Sequence, residues 1–249
     1  MKKLIFILVV LGLSSCNSEQ ANDCFKTTGD ITSETFAVSE FDNILVGRDI
    51  QLTIQQDEEL TVSVEAGENI IGDIQVQVVN GELKLTNENT CNLFRNYNPV
   101  KVLVKTPDVS VIRNSSQFEV KSNGVLELEN LSLYSEDYNS PDSFNVGDFN
   151  LDLNVNQLQV VSNNISMFYI SGKTESLSVG FYAGAGRFEG GNLIAQEVKL
   201  VHKGTNDIIV NPQIAISGEI SGTGNVLARN KPEFISVTEK YKGRLLFID

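Results

Sequence analysis

The sequence predicts an all-β chain: an N-terminal antiparallel β segment leading into a β-solenoid with coils of about twenty residues. Three observations carry that prediction. From residue 36 onward, apolar and polar residues alternate in short runs. Hardly any stretch repeats apolar residues at i, i+3, i+4 and i+7 over three turns, as a helix face requires. Beyond Pro107 the runs recur at a nearly fixed interval.

The first sixteen residues read as an address. Lys2 and Lys3 form a positive start, Leu4 to Leu11 an apolar run, and small residues follow, which is the layout of a secretory signal peptide. The run is shorter than the about 20 residues that span a bilayer as a helix. Leu13-Ser14-Ser15-Cys16 is similar to a bacterial lipobox, whose cysteine thiol is acylated and becomes the new amino terminus. The expectation is a signal peptide over residues 1–15 and a lipidated tether over 16–35. The membrane is then a partner through the lipid at Cys16, at the outer membrane, facing either the cell surface or the periplasm. A plain signal peptide with a chance cysteine is the alternative. Cys24 and Cys91 would then sit in an oxidising compartment, where a disulfide is the economical reading. Two free thiols or a metal pair remain open alternatives.

Residues 36–106 carry the clearest alternation. Ile50-Gln-Leu52-Thr-Ile54, Leu60-Thr-Val62-Ser-Val64, Ile74-Gln-Val76-Gln-Val78, Leu83-Lys-Leu85 and Val100-Lys-Val102-Leu-Val104 each place apolar side chains on one face. Asn80-Gly81 predicts a tight hairpin, since both central residues of a type I′ turn need positive φ. Thr106-Pro107-Asp108 is a candidate boundary, because proline offers a ladder no donor. Residues 107–249 would be the repeats and a C-terminal cap, with Phe234 to Phe247 as that cap, and 36–249 one continuous domain. Phe168, Phe188, Ile208 and Val226 recur at spacings of 20, 20 and 18, and Leu158, Leu177, Val198 and Ile214 at 19, 21 and 16. Each coil would hold two short strands with corners such as Ser171-Gly172 and Gly190-Gly191. A β-sandwich with evenly spaced strands is the competing architecture.

The lipobox, the N-terminal strands, the glycine-rich corners Ser221-Gly222-Thr223-Gly224 and Gly184-Ala185-Gly186, and the ending Tyr241-Lys242-Gly243-Arg244-Leu245 together resemble the auto-transporter adhesin head GIN domain family. The resemblance covers roughly residues 36–247. It departs at corners such as Ser162-Asn163-Asn164 and His202-Lys203-Gly204, which lack the family's Ser-Gly-Ser-Gly form. It implies a right-handed parallel β-helix-like body and an adhesin-like role, with no activity attached.

Composition narrows the function classes. The 249 residues carry 41% apolar side chains, enough for a core in one domain or two small ones. A formal charge of -13 leaves no basic face for phosphates, so nucleic acid is not an expected partner. The chain holds one histidine and no tryptophan. His202, just before a glycine corner, reads as a partly exposed strand-end residue. No GxSxG elbow, P-loop or calcium loop is present. Glu136-Asp137, Asp142, Asp148 and Asp152 cluster, but their spacing selects no facing pair for glycoside hydrolysis. No catalytic residue, metal site or cofactor is expected. The aromatic candidates for a binding surface are Tyr134, Tyr169 and Tyr182, with the neighbouring phenylalanines turned inward. The reading is a non-enzymatic, adhesin-like envelope lipoprotein whose ligand is an extracellular glycan or protein. The alternatives are a carbohydrate-active enzyme on the same scaffold and a periplasm-facing structural or signalling lipoprotein.

Overall fold

The computed structural model describes residues 26–89, 99–136 and 144–248. The signal peptide and Cys16, Cys24 and Cys91 lie outside the described residues, as do Tyr97, Asp137, Tyr138 and Asp142. Among the described residues the only helical turn is a short 3-10 turn at Ile71–Asp73. The rest is strand and connecting turn, so the all-β expectation holds. The strands are β1 (Ile31–Phe36), β2 (Asn43–Val46), β3 (Ile50–Gln56), β4 (Thr61–Gly67), β5 (Ile74–Val79), β6 (Glu82–Asn87), β7 (Val100–Thr106) and β8 (Val111–Asn114). They continue as β9 (Val120–Ser135), β10 (Phe149–Ser162), β11 (Met167–Phe181), β12 (Arg187–His202), β13 (Ile208–Ile220), β14 (Val226–Ala228), β15 (Phe234–Glu239) and β16 (Leu245–Phe247). All sixteen belong to one mixed sheet.

Long strands β9 to β13 pair in sequence order, all parallel. Phe149, Phe168, Phe188, Ile208 and Val226 face one another rung by rung, so the repeat seen in the sequence is a literal register. The second series needs one correction. Leu158, Leu177 and Val198 continue to Ile216, while Ile214 is 47% exposed. The register slips between Ala195 and Glu197, where β13 takes one residue more than β12, and a count of apolar spacing cannot sense a bulge. Each repeat also holds one strand of 13 to 16 residues in place of two short ones.

These strands curl. Phe168 and Phe181 stand at opposite ends of β11, about 43 Å apart if the strand were straight. Their ring centroids lie 5.8 Å apart, so the strand wraps around a shared core. Gly172 in β11 and Gly218 in β13, on different rows of the ladder, each allow a local bend. Their φ values are +107° and +132°, and a Cβ at either would stand 1.9 Å from the carbonyl oxygen of Leu153 or Leu200 on the preceding rung. At the other corner, turns stack through backbone bonds: Gly186 N donates to Asn164 O, Thr205 N to Gly184 O, Gly224 N to Gly204 O, and Gly243 N to Gly222 O.

The N-terminal segment corrects the antiparallel expectation in part. The hairpin β5–β6 turns at Asn80 and Gly81, with φ of 54° and 76°, as Asn-Gly predicts. β4 pairs antiparallel with β1 and β7. Yet β2 runs parallel to β6 and β8, and β3 parallel to β7 and β9. Hydrophobic alternation reports which face is buried and is silent on strand direction, which explains the miss. Leu52 pairs with Val102 and Val120, and Val120 with Phe149, so one apolar row crosses the Pro107 position without a break. The buried cluster runs from Phe41 to Ala228.

Near the start of the described chain, Asp73 gathers two distant segments. Lys26 Nζ donates to its Oδ2 at 2.7 Å and Asn89 Nδ2 to the same oxygen at 3.1 Å. At the other end, β15 and β16 form the last rung, against β13 and β14.

Candidate functional site

Period-two alternation decides where the tyrosines point. Phe168 and Phe181 are fully buried, so their neighbours Tyr169 and Tyr182 face outward, 43% and 50% exposed. Tyr134 is half-buried beneath Arg113, whose guanidinium carbon sits 4.8 Å from the ring centroid. It occupies the row Tyr134, Val161, Gly180, and the Tyr182 ring lies over Gly180, so these two tyrosines share one side two rungs apart. Tyr169 stands on a different row, between Asn150 and Glu189, near the opposite end of β11. The structure therefore brings Tyr134 and Tyr182 together and leaves Tyr169 apart.

Among the described residues, Glu136, Asp148 and Asp152 of the acidic cluster in the sequence each have a partner in the fold. Glu136 pairs with Arg113 at 2.8 Å, Asp148 accepts the Met167 amide at 2.8 Å, and Asp152 accepts the Ser171 hydroxyl at 3.2 Å. Asp57 accepts the Glu59 amide and pairs with Lys105 at 3.1 Å; the amide first, then the ammonium, hold its carboxyl below the usual range. No group of three or more His, Cys, Asp or Glu among the described residues could hold a metal ion.

His202 departs from expectation. It lies fully buried in the inward row with Ser162, Phe181 and Ile220, its ring edge-on to Phe181 at 6.3 Å. Room comes from glycines of successive turns: a Cβ at Gly224 would stand 2.5 Å from Nε2, and one at Gly204 3.3 Å from Cε1. Among the described residues neither ring nitrogen makes a hydrogen bond of good geometry, the Asn206 backbone being a weak polar neighbour. Burial pushes its pKa down, against smaller opposing pulls from the Asn206 backbone and the Asp207 carboxylate. The local pattern Val-His-Lys-Gly gave no sign of this, since a strand-end residue faces in or out by register alone.

Sequence reading also missed a groove of about 310 Å³ beside Tyr169. It is lined by Asn150, Tyr169, Ile170, Ser171, Glu189, Gly191, Asn192 and Arg229, from three successive rungs and the segment after β14. It lies beside a bulge: between Glu189 and Ile194, β12 advances five residues while β13 advances two, and within that surplus Gly190 and Gly191 are buried while Asn192 is exposed. A Cβ on Gly190 would stand 2.2 Å from the buried Phe188 ring, and one on Gly191 2.6 Å from Arg229 Nε, so a side chain at Gly191 would move Arg229 off its place. The Gly190-Gly191 doublet was the one available signal.

A mixed all-β sheet whose later strands form a parallel ladder, with solvent-facing rows and a polar groove, defines the class: a repetitive all-β scaffold. The family model described as putative auto-transporter adhesin, head GIN domain, matches residues 40–232, and the chain belongs to that family. Among solved structures, a protein of Bacteroides fragilis described as a putative adhesin is similar at TM-score 0.80 and 22% identity, over 89% of this chain and 99% of that one. A putative adhesin of Parabacteroides merdae is similar at TM-score 0.64 and 14% identity, over 90% and 98%. A protein of Parabacteroides distasonis described as a putative lipid binding protein is similar at TM-score 0.58 and 16% identity, over 90% and 99%. At these identities the likeness establishes a shared fold. Among curated proteins, none matches the chain.

Proposed function

We propose that this protein is a lipid-anchored, non-enzymatic binding module of the bacterial cell envelope, adhesin-like in role, whose body is a right-handed β-solenoid held to the outer membrane through acylated Cys16. The observation that carries the reading is the family match over residues 40–232, and the parallel register supports the solenoid. A row repeated every rung suits a polymer or a protein surface better than a small metabolite. Rungs of 18 to 20 residues wrapped around a core are what a solenoid coil requires. A Cys24–Cys91 disulfide belongs to this reading. Lys26 and Asn89, each two residues from one of the cysteines, meet on the same Asp73 oxygen.

Protease shaving of intact cells carrying the wild type or Cys16→Ala tests the reading. Loss of the wild-type domain from intact cells, together with release of Cys16→Ala from the membrane fraction, is the expected result. Protection until the outer membrane is opened would place the domain in the periplasm and remove the adhesin role. Membrane retention of Cys16→Ala would remove the lipid anchor.

A further inference from the structure

We infer that the groove between Tyr169 and Arg229 is a binding subsite for a carboxylate-bearing saccharide, such as a hexuronate unit of an acidic polysaccharide. The inference rests on the binding-module reading and gives it a ligand class and an address.

The lining sets the class. Asn150 and Asn192 offer amides that donate and accept, and Ser171 offers a hydroxyl oxygen that accepts while its proton goes to Asp152, which matches vicinal sugar hydroxyls. Tyr169 supplies an exposed ring edge and face at the border, while its hydroxyl is turned away to donate to Met167 Sδ at 3.1 Å. The only aliphatic side chain of the lining, Ile170, is 2% exposed, so an apolar ligand would find little to cover. The volume lies at the small end of sites that hold small molecules, roughly 300–1,000 Å³, which suits one or two sugar units of a longer chain.

Charge sets the substituent. Two lining residues are charged, and Glu189 is already held by Arg187, which also reaches Asp207 at 3.5 Å. Arg229 is different. Among the described residues, Arg48, Arg113, Arg187 and Arg244 each have a carboxylate within 4 Å, and Arg229 has none there. This is a chain with 32 acidic and 19 basic residues, in which acidic partners are abundant. Arg229 instead extends over Gly191, where any side chain would displace it, and its Nη1 stands 3.5 Å from Asn192 Oδ1. The guanidinium is thus placed at the groove with Nη1 toward Asn192 and with no described carboxylate on its fork, which leaves it able to take a planar anion. The overall charge of -13 opposes an anion at distance but is screened beyond about 8 Å at physiological salt, so recognition here is short-ranged.

The test is calorimetric titration of the full-length mature protein with tetragalacturonate, and with a neutral tetrasaccharide such as maltotetraose. Variants are Arg229→Gln, Tyr169→Ala and, away from the groove, Tyr134→Ala; thermal melts establish that each is folded. The expected result is binding of tetragalacturonate over maltotetraose, weakened about tenfold or more by Arg229→Gln. Tyr169→Ala weakens both the acidic ligand and any residual neutral binding, and Tyr134→Ala changes neither. Should Arg229→Gln prove unfolded, Tyr169→Ala and backbone amide shifts of Gly190, Gly191 and Asn192 on titration carry the test. Equal binding of both saccharides would overturn the acidic class. Binding insensitive to both groove variants would overturn the site. No binding of either saccharide by a protein that shaving places outside would overturn the subsite and leave the binding-module reading intact.

Discussion

His202 shows how one side chain couples the core to pH. In the folded chain its ring is buried, with no well-formed hydrogen bond among the described residues, and burial favours the neutral form; in the unfolded chain it titrates near 6.5. Below that value the unfolded state binds the extra proton, so stability is full above about pH 6.5 and falls as pH drops toward the lowered folded value. Melting temperatures of wild type and His202→Leu between pH 7.5 and 5 should diverge, the variant losing this part of the acid sensitivity; parallel curves would refute the account. Phe168 sits between Phe149, stacked at 4.8 Å, and Phe181. Phe168→Ala is expected to cost about 3–5 kcal/mol, read in urea denaturation. Phe168 was legible from its spacing, whereas His202 was not, because a polar residue at a strand end carries no periodic signal of its own.

Strands and turns obey the sequence where local chemistry decides and depart from it where neighbours do. Asn80-Gly81 specified its hairpin through two positive φ values, a purely local demand. The parallel pairing of β2 and β3 depends on rungs far away in the chain, and alternation cannot encode it. The groove fell between these cases: its glycines were visible, but the three-residue surplus of β12 over β13 beside it was not. Gly172 tests the corner directly. Gly172→Ala forces a Cβ toward the Leu153 carbonyl at a φ of +107° and should lower the melting temperature clearly, while Gly72→Ala, where a Cβ meets nothing within 4 Å, should leave it nearly unchanged. The Cys24–Cys91 clip belongs to this scale too. If paired, Cys24→Ser and Cys91→Ser each remove about 3 kcal/mol, their double variant no more, and reductant reproduces the loss in the wild type alone.

Across the whole molecule, one inward apolar row continues from Val102 through Leu52, Val120 and Phe149 to Leu245. The final rung leaves Phe234, Ile235 and Phe247 40–60% exposed while covering Ile216, Ile220 and Val226, which are fully buried. Removing residues 231–249 uncovers that core, and light scattering should then report oligomers or aggregate where the intact chain is monodisperse. Composition and spacing made the all-β class and the later repeats legible; the strand directions of residues 36–106 and the recruitment of Arg229 to the groove needed three dimensions.

The stacking of rungs also fixes how the molecule answers to force. Between β9 and β14 the backbone hydrogen bonds all point along the stacking direction, from one rung to the next. A pull between the first rung and the last therefore loads each row of bonds end-on, so the rows open in succession instead of sliding together in shear. A chain stretched this way would lengthen in steps, each releasing one repeat of about twenty residues or close to 70 Å of slack, and would act as a graded extensible link, not a brittle one.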